Sequence, residues 1–181
     1  HQGLMVIRRA LGELLHNQAH SFNGGVLYKR FTPAGPDHAQ IAACAGMADY
    51  IDALCDHHGG PQEQGAARGR FAHDLMRARE VELLTPVLDA VSDRNAVRLI
   101  GPADAAVRAP TVALALNRDP AEVAKALAER GIMCGAGDFY AVRPLAAMGV
   151  ALDPGVLRIS FTHYTSQAEI DKLLNAFDDL L

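Results

Sequence analysis

The hydrophobic pattern of this chain changes once, near residue 93, and that change limits the folds it can adopt. Before residue 93, apolar residues recur mostly at helical spacing, with one short extended run at 26–28. After it, the signals run strand, strand, helix, strand, turn, strand and helix. A sheet of so few strands buries its apolar face best against helices on one side. The predicted fold class is therefore α+β.

Three long helices are predicted in the first part of the chain. Apolar residues at helical spacing indicate helices over 4–15, from about 38 to 57, and over 66–84. Asp37 is a suitable N-cap for the second helix, because its carboxylate can accept hydrogen bonds from the first turn. A Thr-Pro pair at 85–86 interrupts the third pattern, and proline at a first helical position predicts that a new helix starts there.

Four strands and two long helices are predicted in the second part. The strands are expected over 97–101, 111–116, 132–134 and 156–161. Asp119 before a proline predicts the start of a helix that Gly131 ends. The glycines at 135–137 predict a tight bend, and residues 145–148 a short helical turn. Ser166, followed three residues later by a glutamate, predicts a capping box at the start of the last helix.

Composition excludes several classes of protein. The chain has 181 residues, 50% of them hydrophobic, and 17 basic residues against 21 acidic ones give a net charge of −4. The apolar content is that of a globular domain, and the acidic balance argues against a nucleic-acid partner. Because no apolar run reaches the length of a membrane span, no membrane partner is predicted.

Neither disulfides nor a metal site are predicted from the cysteines and histidines. The chain has an odd number of cysteines, Cys44, Cys55 and Cys134, and no two of them form a CxxC pair. A secreted disulfide framework is therefore not expected. Free cysteines fit a reducing compartment, and we expect a cytoplasmic protein. The eight histidines form no HExxH pattern, so no metal ligands are predicted.

Arg158 is the sharpest single functional signal in the sequence. It lies between Leu157 and Ile159 in a predicted strand, and strand alternation points its side chain away from both. Such an arginine either lies on a solvated face of a sheet or binds an anionic group. A guanidinium keeps its charge at any working pH and can bind a carboxylate through two parallel hydrogen bonds.

Two loops are further candidates for binding. The two glycines at the start of the segment 135–140 permit a tight backbone and the close approach of a ligand. This segment lacks the strand-then-helix GxGxxG pattern of a dinucleotide site, and a plain turn is the alternative. The segment 32–36 contains two prolines and so continues neither a helix nor a strand, and a simple connection is the alternative there.

Taken in order, these segments resemble the C-terminal half of the class V aminotransferases, and most of all their cysteine-desulfurase-like branch of fold-type I pyridoxal-phosphate enzymes. Residues 1–3 resemble the end of the family's Gly-Pro-His-x-Gly stretch. Residues 31–38 resemble the loop before the last helix of the large domain, and residues 131–141 resemble the loop that carries the active-site cysteine of true desulfurases. Residues 156–164, followed by residues 169–171, resemble the closing motif of the family, which is the most specific of the four.

The resemblance implies roles for five residues. Arg158 matches the arginine that binds the α-carboxylate of the substrate, with Phe139 and Tyr140 near that pocket. Thr32 and Gly35 belong to the loop that reaches the cofactor of the neighbouring subunit in the family's homodimer. The resemblance thus implies pyridoxal phosphate as the cofactor and a small-molecule amino acid as the ligand.

This sequence departs from the pattern of the desulfurases at several positions. Tyr140 stands where a desulfurase has its persulfide-forming cysteine, and a phenol cannot accept sulfur in that way. Cys134, six residues earlier, is expected in the core of a strand. Gly35 replaces a phosphate-binding threonine, Gly135 replaces an arginine, and Thr165 replaces an asparagine. Desulfuration through residue 140 is therefore not expected.

The chain alone is predicted to be catalytically inactive. Its first residue is His1 rather than a methionine, so we expect it to be part of a longer protein. The chain contains three lysines, Lys29, Lys125 and Lys172. None of them matches the Schiff-base lysine of the family, which the resemblance implies lies in the N-terminal half.

The resemblance also implies a domain organisation. Residues 1–60 would complete the large pyridoxal-phosphate-binding domain, residues 61–84 would form a linking helix, and residues 85–181 would form a small domain with a mainly antiparallel sheet. A non-catalytic α+β module for dimerisation or amino-acid sensing, over residues 93–181, is the alternative. A lysine shortly before His1 in the reading frame would favour the enzyme, and a start codon immediately upstream would favour the module.

Overall fold

The computed structural model describes residues 3–32, 35, 37–63 and 65–181. The chain forms two compact units, of which the first ends at Ala72 and the second begins at His73. The division predicted from the resemblance, with boundaries after residues 60 and 84, stays a prediction. In the described ranges, no helix combines the length and the apolar character needed to cross a bilayer.

The first unit is built from helices. Helix α1 spans Arg9–Leu14, single 3-10 turns cover Ser21–Asn23 and Leu27–Lys29, and helix α2 spans His38–His57. The helix predicted over 4–15 is therefore shorter than expected. Its predicted first turn has no core to pack against, since Val6 is 98% exposed, and an isolated turn of helix is unstable in water.

The extended run predicted at 26–28 is wrong after Val26, because Leu27–Lys29 form a 3-10 turn. The backbone N–H of Lys29 donates to the carbonyl of Val26 at 2.9 Å, and the N–H of Arg30 donates to the carbonyls of Val26 and Leu27. The described residues of the first unit include no strand that could pair with an extended segment. Local hydrogen bonds therefore satisfy the backbone instead.

Helix α2 begins as predicted, with the side chain of Asp37 accepting hydrogen bonds from the first turn. Near the other end of α2, two exposed carboxylates pair with the buried side chain of Arg68, which is only 4% exposed. The guanidinium donates to Asp52 Oδ1 at 2.5 Å and to Asp56 Oδ1 at 2.7 Å. Because a buried charge needs such partners, these carboxylates fix the position of Arg68 against α2.

Helix α3, Ala66–Ser92, continues through Pro86, so the new helix predicted at 85–86 is wrong. Four buried residues of the same core flank the proline: Leu83, Leu84, Val87 and Leu88. Packing on both sides of Pro86 holds the helix together despite the missing backbone donor. The hydroxyl of Thr85 donates back to the carbonyl of Val81 at 2.8 Å and so caps no new helix.

The second unit contains a four-stranded antiparallel sheet in the order β1-β2-β4-β3. The strands are β1, Val97–Ile100; β2, Thr111–Leu116; β3, Gly135–Gly137; and β4, Val156–Ser160. Strand β4 lies between β2 and β3, so Arg158 stands on an interior strand. The predicted α+β class with a mainly antiparallel sheet is confirmed.

The third strand begins three residues later in the chain than predicted. Residues 132–134 are not a strand, and the predicted bend at 135–137 is itself β3, which pairs with β4. Gly131 adopts a φ of +70°, and the N–H of Ile132 donates back to Leu127, so the chain is still leaving the preceding helix at residue 132. The glycines of β3 therefore pair across the sheet instead of turning the chain.

Three helices complete the second unit: α4, Pro120–Glu129; α5, Val142–Ala147; and α6, Gln167–Leu180. Asp119 caps α4, as predicted. The predicted capping box at the start of α6 is confirmed, with Ser166 and Glu169 each bonding the other's backbone. Helix α5 begins three residues before the helical turn predicted at 145–148.

The sheet has two faces of different chemistry. The helix face packs against α3, α4 and α6, and its strand residues are Val97, Leu99, Val112, Leu114, Leu116, Leu157 and Ile159. The arginine face is the opposite side, and its strand residues include Arg98, Ile100, Thr111, Ala113, Ala115, Gly135, Val156, Arg158 and Ser160. The short helix α5 covers part of the arginine face through Leu145.

Candidate functional site

Arg158 is exposed on the arginine face of the sheet. It faces Ala113 across β2 and Gly135 across β3, while its chain neighbours Leu157 and Ile159 are buried on the helix face. The strand alternation of the sequence thus predicted the direction of this side chain. Both cross-strand neighbours are small, so neither has a long side chain beside the guanidinium.

The ring of Phe139 holds the Arg158 side chain from one side. The Cζ atom of the guanidinium lies 3.9 Å from the ring centroid, a close cation–π contact. Within the described ranges, Arg158 has no ion pair and no side-chain hydrogen bond. Its donors are therefore left for a ligand or for water.

Gly135 makes room for this aromatic ring. A Cβ atom at position 135 would lie 3.0 Å from two ring carbons of Phe139, closer than ordinary van der Waals contact. The ring therefore occupies the space that any other residue at 135 would use. The site brings Gly135, Phe139 and Arg158 together from two neighbouring strands and the loop that follows β3.

A strained turn presents the two aromatic residues of this loop. Phe139 and Tyr140 have φ values of +51° and +60°, which residues other than glycine rarely adopt. The N–H of Ala141 donates to the carbonyl of Asp138 at 2.8 Å, and the N–H of Tyr140 donates to the Asp138 carboxylate at 3.0 Å. Two consecutive positive φ values at the centre of a hydrogen-bonded turn are typical of type I′ geometry. Each costs on the order of 1–3 kcal/mol in a non-glycine residue, and such strain concentrates at functional sites.

The turn sends its two aromatic side chains in different directions. Phe139 is half-buried and packs against the small cluster of Ile100, Leu145, Val150 and Val156. Tyr140 is fully exposed, at 101% of its reference area. The phenol is therefore presented to solvent beside the site and makes no part of the core.

Arg98 provides an internal comparison with Arg158 on the same face. Its guanidinium donates to the carbonyl of Met148 at 2.6 Å, so it ties β1 to the segment after α5. One arginine of the arginine face is thus used within the fold, whereas Arg158 is held by an aromatic ring and keeps its donors free of described protein acceptors.

Thr32 and Gly35 belong to the first unit. They line a cavity of about 740 Å³ together with Lys29 and His38, and Tyr28 also borders it. The hydroxyl of Thr32 donates to the carbonyl of Tyr28 at 3.5 Å. Positions 33, 34 and 36 of the same predicted loop lie outside the described residues. A lysine and a histidine beside Thr32 suit an anionic group.

The environment of Cys134 does not favour a nucleophile. The thiol is half-buried, and burial raises its pKa, so it stays protonated near neutral pH. It packs at the margin of the core of the helix face. The expectation that Cys134 belongs to the core agrees with this placement, although residue 134 precedes the strand.

Sequence reasoning missed the contact between Phe139 and Arg158 and the role of Gly135 in it. Both depend on the register of β3 against β4, and the local sequence pattern does not predict that register. The Asp-x-x segment at 138–140 is a turn signal that could have placed the bend correctly, because Asp is favoured at the first position of a turn. Lys29 and His38 were also missed as neighbours of Thr32.

The amino-acid sequence of this chain is similar to that of a known aminotransferase-like protein. The aminotransferase-like protein FGM3 of Gibberella zeae is 26% identical over 114 residues, which are 60% of this chain and 28% of that protein. The chain therefore spans little more than a quarter of the length of this relative. The binding roles of Arg158, Phe139, Tyr140, Thr32 and Gly35 stay predictions.

Two solved structures share the fold. The apo cysteine desulfurase of Thermococcus onnurineus NA1 superposes with a TM-score of 0.54 at 23% identity, over 63% of this chain and 29% of that chain. A glycine decarboxylase (P-protein) of the glycine cleavage system, in inhibitor-bound form, superposes with a TM-score of 0.51 at 23% identity, over 85% of this chain and 30% of that chain. At this identity the likeness concerns the fold.

The sequence pattern of the Aminotransferase class-V family matches residues 69–173, which is more than half of the chain. The match includes Gly135, Phe139 and Arg158, and so it covers the whole candidate site on the arginine face. The resemblance read from the sequence is confirmed, and this chain belongs to the class-V aminotransferase family.

Proposed function

We propose that this chain is the C-terminal portion of a pyridoxal-phosphate-dependent enzyme that acts on an amino acid, and that Arg158 binds the carboxylate of the substrate. The observation that carries the proposal is the exposed guanidinium of Arg158, which lies between two small cross-strand neighbours and has no described polar partner. An arginine on an interior strand that has no hydrogen bond or ion pair within the described ranges is well suited to an anionic ligand.

The chemistry of the guanidinium supports a carboxylate as that ligand. Its planar fork donates two parallel hydrogen bonds to the two oxygens of a carboxylate, and each bond is charge-assisted. Hydrogen bonds to charged groups contribute about 1.5–3 kcal/mol. Lysine at this position would offer a point charge without the fork, so the arginine provides orientation as well as affinity.

The first unit contains residues that suit the phosphate of the cofactor. Thr32 offers a hydroxyl, Lys29 a positive charge and His38 an imidazole around one cavity, and Gly35 leaves its wall without a side chain. By the family resemblance this loop reaches the cofactor of a neighbouring subunit, so we propose a homodimer. Pyridoxal phosphate, when bound, withdraws electrons from the amino acid attached to it, and the protein supplies binding and orientation.

We further propose that residue 140 of this protein does not accept sulfur as the cysteine of a desulfurase does. Tyr140 is a fully exposed phenol at that place, and Cys134 is held in a half-buried position where its thiol stays protonated. A phenol cannot act as the thiolate nucleophile that sulfur transfer requires, and the raised pKa of Cys134 disfavours its thiolate. The proposed reaction therefore changes the amino acid without transferring sulfur to residue 140 or residue 134.

The chain alone is proposed to lack the catalytic lysine. Lys172 lies on α6, where its Nζ donates to the carbonyl of Gly131 at 3.4 Å, and Lys125 lies on α4. Lys29 lines the cavity of the first unit and is assigned to phosphate binding. We assign the covalent attachment of the cofactor to a lysine in the rest of the protein.

The proposal is tested by spectroscopy on the complete protein that contains residues 1–181. After reconstitution with pyridoxal phosphate, we expect a visible absorbance band of bound cofactor that changes saturably when amino acids are added. Residues 1–181 alone serve as the control and are expected to form no covalent cofactor band. A complete protein that shows no cofactor band would contradict the proposal and favour a non-catalytic module.

A further inference from the structure

We propose that Phe139 is a positioning residue that fixes the guanidinium of Arg158 for carboxylate binding. This inference rests on the proposed function for the role of Arg158 and goes beyond it by assigning the residue that orders the arginine. The contact joins the loop after β3 to the neighbouring strand β4, with the guanidinium carbon 3.9 Å from the centre of the ring.

An exposed arginine would otherwise be mobile. Its long side chain samples many rotamers, and a ligand that binds it must restrict all of them. The Phe139 ring attracts the cation and restricts it before the ligand arrives. Because the ring offers no hydrogen-bond acceptor of its own, the N–H donors of Arg158 stay available. The ring thus orders the guanidinium without competing with a carboxylate.

The backbone is built to place the ring at this position. Phe139 adopts a positive φ of +51°, and the two hydrogen bonds to Asp138 hold the turn in that conformation. Gly135 provides the space under the ring, since a Cβ there would approach it to 3.0 Å. Two independent features, a strained turn and a glycine under the ring, therefore lead to the same contact.

Packing alone would not require an aromatic residue here. Phe139 also touches the cluster of Ile100, Leu145, Val150 and Val156, whose members are all aliphatic. A leucine at 139 would keep an apolar side chain against this cluster, but it would lose the ring over the guanidinium. The substitution Phe139→Leu therefore separates the positioning role from core packing, and Phe139→Tyr is the matched control that keeps the ring.

The binding test uses the complete protein loaded with pyridoxal phosphate, with an amino acid and the amine that lacks only its carboxylate as probes. Phe139→Leu is expected to weaken binding of the amino acid about five- to thirtyfold, with the affinity for the amine unchanged within about twofold. Phe139→Tyr is expected to restore amino-acid affinity. Equal losses for both probes, or no loss for the amino acid, would overturn the positioning role.

A spectroscopic test on residues 1–181 is independent of catalysis. In NMR spectra, the Nε–H proton of Arg158 is expected at high field because of the ring current of Phe139. This shift is expected to be lost in Phe139→Leu and kept in Phe139→Tyr. An Arg158 signal that is the same in all three proteins would contradict the contact itself.

The two proposals can fail separately. Arg158→Ala is measured beside the Phe139 variants with the same two probes. If Arg158→Ala does not weaken amino-acid binding, the carboxylate role of Arg158 is wrong. If Arg158→Ala weakens it and Phe139→Leu does not, the proposed function stands and the positioning role of Phe139 is wrong.

Discussion

The two faces of the small sheet are made from the same strands, and they differ most where Leu114 and Leu157 lie on one face and Arg158 lies on the other. On the helix face, Leu114 and Leu157 are completely buried against the long helices. On the arginine face, their neighbours Ala113 and Arg158 face each other across the same two strands. Alternation along a strand thus places the residues that stabilise the fold next to the residues that are available for a ligand.

In the second unit, the contribution of Leu114 to stability and the proposed role of Arg158 in binding can therefore be tested separately. The helix face carries large aliphatic side chains, and it stabilises the fold because folding removes their apolar area from water. Around Arg158, the arginine face has small residues, a strained turn and a guanidinium with no polar partner among the described residues, whereas Ile100 and Val156 of the same face pack with Leu145 of α5. Substitution of a large buried residue of the helix face should therefore change the free energy of unfolding, and substitution of Arg158 should change ligand affinity.

The largest effect on stability is expected on the helix face. Leu114→Ala removes a fully buried side chain between β1 and β4 and leaves a cavity, so we expect a loss of about 2–5 kcal/mol in the free energy of unfolding. Urea unfolding followed by circular dichroism measures it. Arg158→Ala is the control on the opposite face and should lose no more than about 1 kcal/mol, since it removes an exposed cation–π contact. Similar losses of unfolding free energy in both variants would contradict the different roles assigned to Leu114 and Arg158.

A smaller effect is expected at the start of α6, which packs on the helix face. Ser166→Ala removes the N-cap hydroxyl that accepts from the N–H of Glu169, and we expect a loss of about 1 kcal/mol. The same urea titration measures it. Ser166→Thr keeps a hydroxyl and should recover most of the loss. A variant lacking the hydroxyl that is as stable as the natural sequence would show that the cap contributes nothing.

The smallest effect is a dependence of stability on pH that comes from Glu169. Hydrogen bonds from the backbone N–H and the hydroxyl of Ser166 lower the pKa of this carboxyl. A lowered pKa in the folded state means that the contribution is present above the ordinary carboxyl pKa and is lost as the pH falls below it. Thermal unfolding across the acidic range should therefore show a weaker pH dependence in Glu169→Gln. Identical slopes in the two proteins would contradict this coupling.

Much of the fold could be predicted from local signals. Asp37, Asp119 and Ser166 cap their helices because a side chain and a backbone N–H a few residues away are sufficient for a cap. The direction of Arg158 followed from the alternation of β4 alone. The family was predicted from four ordered segments, and the sequence match over residues 69–173 shows it.

The predictions that failed depended on contacts between distant parts of the chain. Pro86 stays inside α3 because the core holds both sides of it, and no local rule contains that packing energy. The glycines at 135–137 form a strand because β4 lies beside them. The contact of Phe139 with Arg158 requires both that pairing and the strained turn. Both residues could therefore be predicted near the site, but the contact between them could not.

The central claim, that Arg158 recognises a carboxylate, is tested most directly by comparing two arginines of one sheet face. In the complete protein loaded with pyridoxal phosphate, the dissociation constants of an amino acid and of its decarboxylated amine are measured for Arg158→Gln and for Arg98→Gln. We predict that Arg158→Gln weakens amino-acid binding about ten- to a hundredfold and leaves the amine unaffected, because a charge-assisted pair is lost. Arg98→Gln, which loses a bond to the carbonyl of Met148, should change neither. An Arg158→Gln variant that binds the amino acid as tightly as the natural sequence would contradict the account.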